Sequence, residues 1–267
     1  VHTEAGGIRM GYDMEGNGTP LVLLHGFPLN RAMWRVQVAG LRDRFTVIAP
    51  DFRGFGDSEI PRNPMSMDAY AQDVLALLDA LGCPRFALGG LSMGGYVAFR
   101  VMALAPHRVC ALLIADSRAE PDTEEGRQRR RAAIARIENE GPAGYLEDFA
   151  GQLVGPTTRS QRPGVVQAIL EIIGTPPARS LTTALSAMAS RPDSRPLLGD
   201  VNVPALVIVG EEDTLTPPEA AEAMAAVLPD ARLVRIPAAG HMSNLEAPEA
   251  FTRAVREFLT AEFPTAG

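Results

Sequence analysis

The sequence predicts an α/β fold, a mostly parallel sheet with helices on both faces. Three observations carry this. Short apolar runs recur at Leu21–Leu24, Phe45–Ala49, Phe86–Leu88, Ala111–Ala115, Ala205–Val209 and Leu233–Ile236, as in strands buried on both faces. Helical patterns separate them, and such alternation builds a sheet covered on both sides. One serine, Ser92, stands between a strand-like and a helix-like run, with Gly90 and Gly94 two positions to either side, the mark of a sharp strand-to-helix turn. With 267 residues and 46% hydrophobic content, the chain can bury a full core without cross-links.

Taken in order, Ile8–Met14 alternates before Gly16-Asn17-Gly18, which predicts an antiparallel edge strand or hairpin. Trp34–Leu41, Met67–Leu81, Gly95–Ala105, Pro218–Val227 and Pro248–Leu259 read as helices; in the second, Tyr70, Val74, Leu77, Leu78 and Leu81 recur at helical spacing. The alternation stops between Ser117 and Pro196. Ala132–Ile137, Tyr145–Leu153, Val165–Ile173 and Leu181–Met188 read there as short helices, punctuated by Gly141-Pro142, Gly155-Pro156, Pro163-Gly164 and Pro176-Pro177. Both ends of this stretch return to the sheet, so residues 117–196 are expected to be a helical cap inserted in a core of residues 1–116 and 197–267. Its basic run, Arg127, Arg129, Arg130, Arg131 and Arg136, is expected to be a solvated face balanced by Glu120, Asp122, Glu124 and Glu125.

Composition narrows the function classes. A net charge of −7, with 32 acidic against 25 basic residues, argues against nucleic-acid binding, which needs a basic surface. No apolar stretch approaches the ~18 residues of a membrane span, so no membrane partner is expected. The start, Val1–Gly7, has no charged region followed by an apolar block, although a first residue of Val1 leaves a preceding segment open. Cys83 and Cys110 read as reduced thiols, and a cytoplasmic location is expected. Both precede strands expected to be neighbours, which leaves one bridge between them open. Phosphate-binding glycine motifs are missing from the expected places, and the cysteines and histidines lack metal-site spacing. No cofactor or metal is expected.

The polar residues cluster at one rim. His25, Asp51, Ser92 and Asp116 stand at or just after the carboxyl ends of strand runs, and Asp213 and His241 lie in the loops after two more. Open α/β sheets bind ligands there. A serine hydroxyl needs an adjacent base to become a nucleophile, and there are four histidines to choose from. His2 is expected at a mobile terminus. His107 follows Pro106 at a helix end, where a cation meets the dipole favourably. His25 belongs to the loop His25-Gly26-Phe27-Pro28, where bracing is its expected part. His241 is therefore the expected general base. Asp213, after the penultimate strand, is the expected carboxylate partner because its loop lies near the histidine loop and it gives the order Ser, Asp, His; Asp116, after the strand that follows the Ser92 helix, competes, and is otherwise a cap hinge or pocket residue. Glu211 and Glu212 are expected to be solvated. The backbone N–H groups of Met93 and Phe27 are the expected oxyanion donors, and Ser92 is expected in a strained backbone conformation.

These motifs resemble the α/β-hydrolase superfamily over nearly the whole chain. The match runs through His25-Gly26-Phe27-Pro28, Asp51-Phe52-Arg53-Gly54-Phe55-Gly56-Asp57-Ser58, the Ser92 turn, Gly210-Glu211-Glu212-Asp213 and Gly240-His241. Gly90-Leu91-Ser92-Met93-Gly94-Gly95 and the cap are similar to the 3-oxoadipate enol-lactonase and small carboxylesterase branch. Serine at position 92 separates the chain from relatives of this fold with an aspartate nucleophile. The resemblance implies an eight-stranded sheet and a cofactor-free serine hydrolase that cleaves small carboxylic esters or lactones through an acyl-enzyme. Perhydrolases, carbon–carbon bond hydrolases and non-catalytic receptors share the fold and stay as alternatives. Asp51 and Arg53 are expected to pin loops. His25, Leu29, Trp34, Phe149, Ile169, Met188 and Met242 are candidates for an apolar pocket, with core packing an equal reading. Because His241 must be neutral to act, the rate is expected to decline below about pH 6.5. The natural substrate, the oligomeric state and any inward-turned cap arginine are not legible in one sequence.

Overall fold

Eight strands form one sheet, in the spatial order His2–Ala5, Ile8–Glu15, Phe45–Pro50, Thr19–Leu24, Phe86–Leu91, Val109–Ala115, Ala205–Gly210, Ala231–Ile236. The computed structural model describes residues 1–264. β1 (His2–Ala5) and β2 (Ile8–Glu15) make an antiparallel hairpin at the edge. Its turn is Gly6-Gly7, with φ of 59° and 79°, a left-handed conformation that favours glycine. His2 is thus held in a strand, not at a mobile terminus as expected. β2 runs antiparallel to β4 (Phe45–Pro50). From there β3 (Thr19–Leu24), β5 (Phe86–Leu91), β6 (Val109–Ala115), β7 (Ala205–Gly210) and β8 (Ala231–Ile236) complete a parallel array with β4.

The all-apolar strand runs end up where both faces are covered: β5 and β7 are buried along their whole length. β5 continues past the expected Leu88 through Gly89 and Gly90, because backbone pairing with β3 and β6 does not require side chains. β8 departs from expectation. As the outer strand it is half-buried and begins two residues earlier, at Ala231.

Helices cover both faces. α1 (Arg35–Leu41) packs on α12 (Pro248–Glu262), and α2 (Met67–Ala80) on α3 (Met93–Leu104). Trp34 ends a preceding 3₁₀ turn, Arg31–Trp34, rather than opening α1. Ser66 starts α2 by accepting from the Ala69 N–H. Two acid–base pairs brace the loops as expected: Asp51 meets Arg31 and Arg53 meets Asp73. α10 (Pro218–Val227) packs on β7 and β8, and the short α11 (Ser243–Glu246) packs on α12. Cys83 and Cys110 are both free thiols.

Between β6 and β7 lie α4 (Glu124–Glu140), α5 (Pro142–Gln152), α6 (Pro156–Gln161), α7 (Gly164–Ile173), α8 (Ala178–Ala189) and α9 (Arg195–Leu198). α6 and α9 were not expected; both are short and lack the apolar spacing that marks a longer helix. The neck of this insertion is closed by the Ser194 N–H donating to the Ala119 carbonyl at 2.9 Å. Among the described residues, no helix is long and apolar enough to cross a membrane.

Candidate active site

The strand order reverses around β3, which pairs with β4 on one side and β5 on the other. The loops leaving the carboxyl ends of β3 and β5 therefore face one crevice, the place where open α/β sheets hold ligands. Ser92 tops β5 with φ 54° and ψ −115°, a conformation that costs about 1–3 kcal/mol and persists where the surroundings enforce it. The glycines show how. A Cβ on Gly90 would strike the Gly94 carbonyl, and one on Gly94 would lie 3.0 Å from the His25 carbonyl and nearer still to that of Leu24. The first collision is between strand and helix; the second is between helix and β3.

Ser92 Oγ donates to His241 Nε2 at 2.8 Å, and His241 Nδ1 donates to Asp213 Oδ2 at 2.8 Å. Asp213 follows β7 and His241 follows β8, so three strand ends deliver the three groups. Asp213 is held in turn: its Oδ1 accepts from the Leu215 and Thr216 N–H groups, and its Oδ2 accepts from the Thr216 hydroxyl at 2.6 Å. Burial works against the imidazolium of His241, but the charge and hydrogen bond of Asp213 outweigh it and raise the His241 pKa. Burial likewise disfavours the Asp213 carboxylate, yet His241 and Thr216 hold its pKa below the usual range. That electrostatic arrangement suits a base that gains a proton during the reaction.

Asp116, the competing carboxylate, does not reach the imidazole. Fully buried at φ 43°, it accepts from the Gly210 N–H at 2.8 Å and pairs with the Ser243 hydroxyl. It joins the end of β6 to the loops carrying Asp213 and His241. Burial, followed by the nearby Asp213 charge, pushes its pKa well up.

His25 is fully buried behind the site. The Phe52 N–H donates to its Nε2 at 2.9 Å, so Nδ1 carries the proton toward the Gly26 carbonyl at 3.0 Å. Burial pushes its pKa down to about 4. It braces the loop as a neutral ring. His107 is exposed in a 3₁₀ turn.

A cavity of about 290 Å³ opens above Ser92 and His241, walled by Phe27, Tyr96, Tyr145, Phe149, Leu185 and Met188. Of the apolar pocket candidates, Phe149 and Met188 line it. His25, Leu29, Trp34, Ile169 and Met242 do not; they are buried in the core, the other outcome their apolar character allowed. Arg118, Arg129 and Arg130 also line the cavity; within the basic run Arg129 is exposed, as expected of a solvated face, whereas Arg130 is half-buried against the cavity. Arg130 and Arg191 both pair with Asp122, whereas Arg127 and Arg131 face outward onto Glu124. Glu212 is not simply solvated either: it accepts from both the N–H and the hydroxyl of Thr157. Nothing local in the sequence distinguishes Thr216, Ser243, Arg118 and Glu246 from surface polar residues.

The family model described as alpha/beta hydrolase fold matches residues 19–248. An esterase from Thermogutta terrifontis, solved with malate bound, superposes with a TM-score of 0.92 at 40% identity, over 98% of this chain and 97% of that one. The enol-lactonase from Burkholderia xenovorans LB400 superposes with a TM-score of 0.90 at 28% identity, over 97% and 100%. The 3-oxoadipate enol-lactonase 2 of Acinetobacter baylyi is 29% identical over 235 residues, 88% of this chain and 86% of that protein. With the triad in bonding order at the strand ends, the constellation is that of a serine hydrolase acting on carboxylic esters or lactones through an acyl-enzyme. Fold, site and relatives agree, and the chain belongs to the alpha/beta hydrolase fold family.

Proposed function

We propose that the substrates are small esters or lactones whose acyl part carries a carboxylate. One observation carries this reading. Arg118, Arg129 and Arg130 line the cavity, while Asp122, the one carboxylate among its described lining residues, is already paired to Arg130 and Arg191. Among the described residues Arg129 has no ion-pair partner at all. A cavity with surplus positive charge and apolar walls favours a short chain ending in an anion. Two relatives are named for a lactone of 3-oxoadipate, itself an acid, and a third was solved with malate bound.

In this reading Ser92 attacks the carbonyl, His241 takes its proton and returns it to the leaving alkoxide, and water then frees the acid. The N–H groups of Phe27 and Met93 hold the oxyanion, each worth about 2.7–4 kcal/mol in the transition state. Two features support that pair. Met93 opens α3, where its N–H has no acceptor in the helix, and Gly26 brings its loop so close that a Cβ there would sit 3.5 Å from Ser92 Cβ. Residues 117–196 serve as the cap that walls the site. A cytoplasmic location belongs to the same proposal and rests on the two free thiols.

The test compares p-nitrophenyl butyrate with p-nitrophenyl hemiglutarate, of similar length but carrying a carboxylate. A charge-assisted hydrogen bond contributes about 1.5–3 kcal/mol, so the hemiglutarate is expected to show the lower KM. In Arg129→Gln the preference should fall about tenfold. Equal KM values for the two esters in the wild-type enzyme would refute the substrate class.

A further inference from the structure

Glu246 is 1% exposed, yet among the described residues no arginine side chain pairs with its carboxylate. Three backbone N–H groups satisfy it. Oε1 accepts from Gly240 at 2.9 Å and Met242 at 3.2 Å, the two residues flanking His241. Oε2 accepts at 2.9 Å from Gly155, which belongs to the insertion between α5 and α6. One carboxylate therefore grips the catalytic histidine loop with one oxygen and the insertion with the other.

The same joint is reinforced on every side. A Cβ on Gly240 would lie 2.8 Å from Gly155 Cα, so the two backbones touch directly. The Met242 N–H also donates to the Leu153 carbonyl at 3.0 Å. Arg162, exposed on the insertion, donates to the Glu246 carbonyl and to that of Ala238 at 3.1 Å. On the neighbouring loop Glu212, the residue before Asp213, accepts the Thr157 N–H at 2.9 Å. A segment of the insertion is thus fastened to the loops of both the base and its acid.

We propose that Glu246 is a positioning residue through which the insertion holds His241 in line with Ser92. A solvated or merely stabilising carboxylate would not need two oxygens bound to two separate segments. Reorienting the insertion about Gly155 must move the backbone on both sides of the imidazole, so the wall of the substrate cavity and the alignment of the base change together. The inference rests on the Ser92–His241–Asp213 reading, which Ser92→Ala tests independently.

The experiment uses the full chain with p-nitrophenyl butyrate and measures kcat, KM, the pH profile of kcat/KM and Tm. Glu246→Gln keeps the shape but sets an NH2 against one set of N–H donors. Glu246→Asp keeps the charge but is too short to span both segments. Arg162→Gln loosens the joint from an exposed position and guards against the other two failing to fold. Both Glu246 variants are expected to lower kcat about tenfold with KM within about twofold, and Arg162→Gln to do so about threefold. The groups facing His241 are Asp213 and Asp116, which favour its charged form, and Arg118, which opposes it. A loosened loop weakens the Asp213 contact, so the acid limb should move to lower pH. If Glu246→Asp behaves as wild type while Glu246→Gln does not, charge alone is at work and the proposal fails. It fails equally if folded variants lose Tm with kcat and pH profile unchanged, or if only Arg162→Gln folds and its kcat is unaltered. Substantial turnover by Ser92→Ala would instead overturn the triad itself.

Discussion

Asp116 and Asp213 stand at the ends of neighbouring parallel strands, yet only Asp213 meets the imidazole, with Oδ2 2.8 Å from His241 Nδ1. Both oxygens of Asp116 are occupied, by the Gly210 N–H and the Ser243 hydroxyl. Position at a strand end made both eligible; hydrogen-bonding partners separate an orienting acid from a structural one.

The division of labour predicts unequal consequences. Asp213→Asn should lower kcat by about 10⁴, because the amide favours the wrong imidazole tautomer. Asp116→Asn should cost less than about tenfold, since its amide oxygen can accept from Gly210 and its NH2 can donate to Ser243. Steady-state kinetics on a p-nitrophenyl ester decides, and equal losses would contradict the assignment.

The pH profile follows from the direction of the His241 shift. The base acts only when neutral, and its pKa is raised because Asp213 outweighs the effect of burial. The neutral fraction, and with it kcat/KM, therefore falls as pH drops through a value above the ordinary 6.5. This moves the decline upward from the pH 6.5 expected of an unperturbed histidine. Initial rates between pH 5 and 9 check it; an apparent pKa at or below 6 would show that burial wins.

The Ser92 turn depends on Gly94 for packing against β3. A Cβ there would lie 2.7 Å from the Leu24 carbonyl carbon, and backbone cannot swing aside as a flexible side chain can. Gly94→Ala is expected to destabilise by about 1–3 kcal/mol, a fall in Tm of roughly 2–4 °C for each kcal/mol in a chain of this size. Differential scanning calorimetry reads this directly. An unchanged Tm would mean that helix and strand separate at little cost.

Much of the molecule is legible in the sequence. The parallel strands reveal themselves because burial on both faces demands uninterrupted apolar residues, as in β7. The Ser92 turn is legible because its constraints are local: the glycines that relieve the crowding sit within two residues of the strained serine. His241 emerged from elimination among four histidines. The other half depended on groups distant in sequence. Chain order and neighbouring loops favour Asp213 over Asp116, but the hydrogen bonds that tie Asp116 to Gly210 and Ser243 instead are encoded by no spacing. Arg130 and Arg131 are adjacent in the chain, yet one lines the cavity and the other reaches Glu124, because helix packing assigns neighbours to different faces. Glu246 looks like any acid before a helix-opening proline until Gly155, 91 positions away in sequence, supplies its third N–H. Short-range sterics and hydrophobic periodicity are written along the chain, whereas hydrogen-bond partners and pocket walls exist only once the insertion has folded back over the sheet.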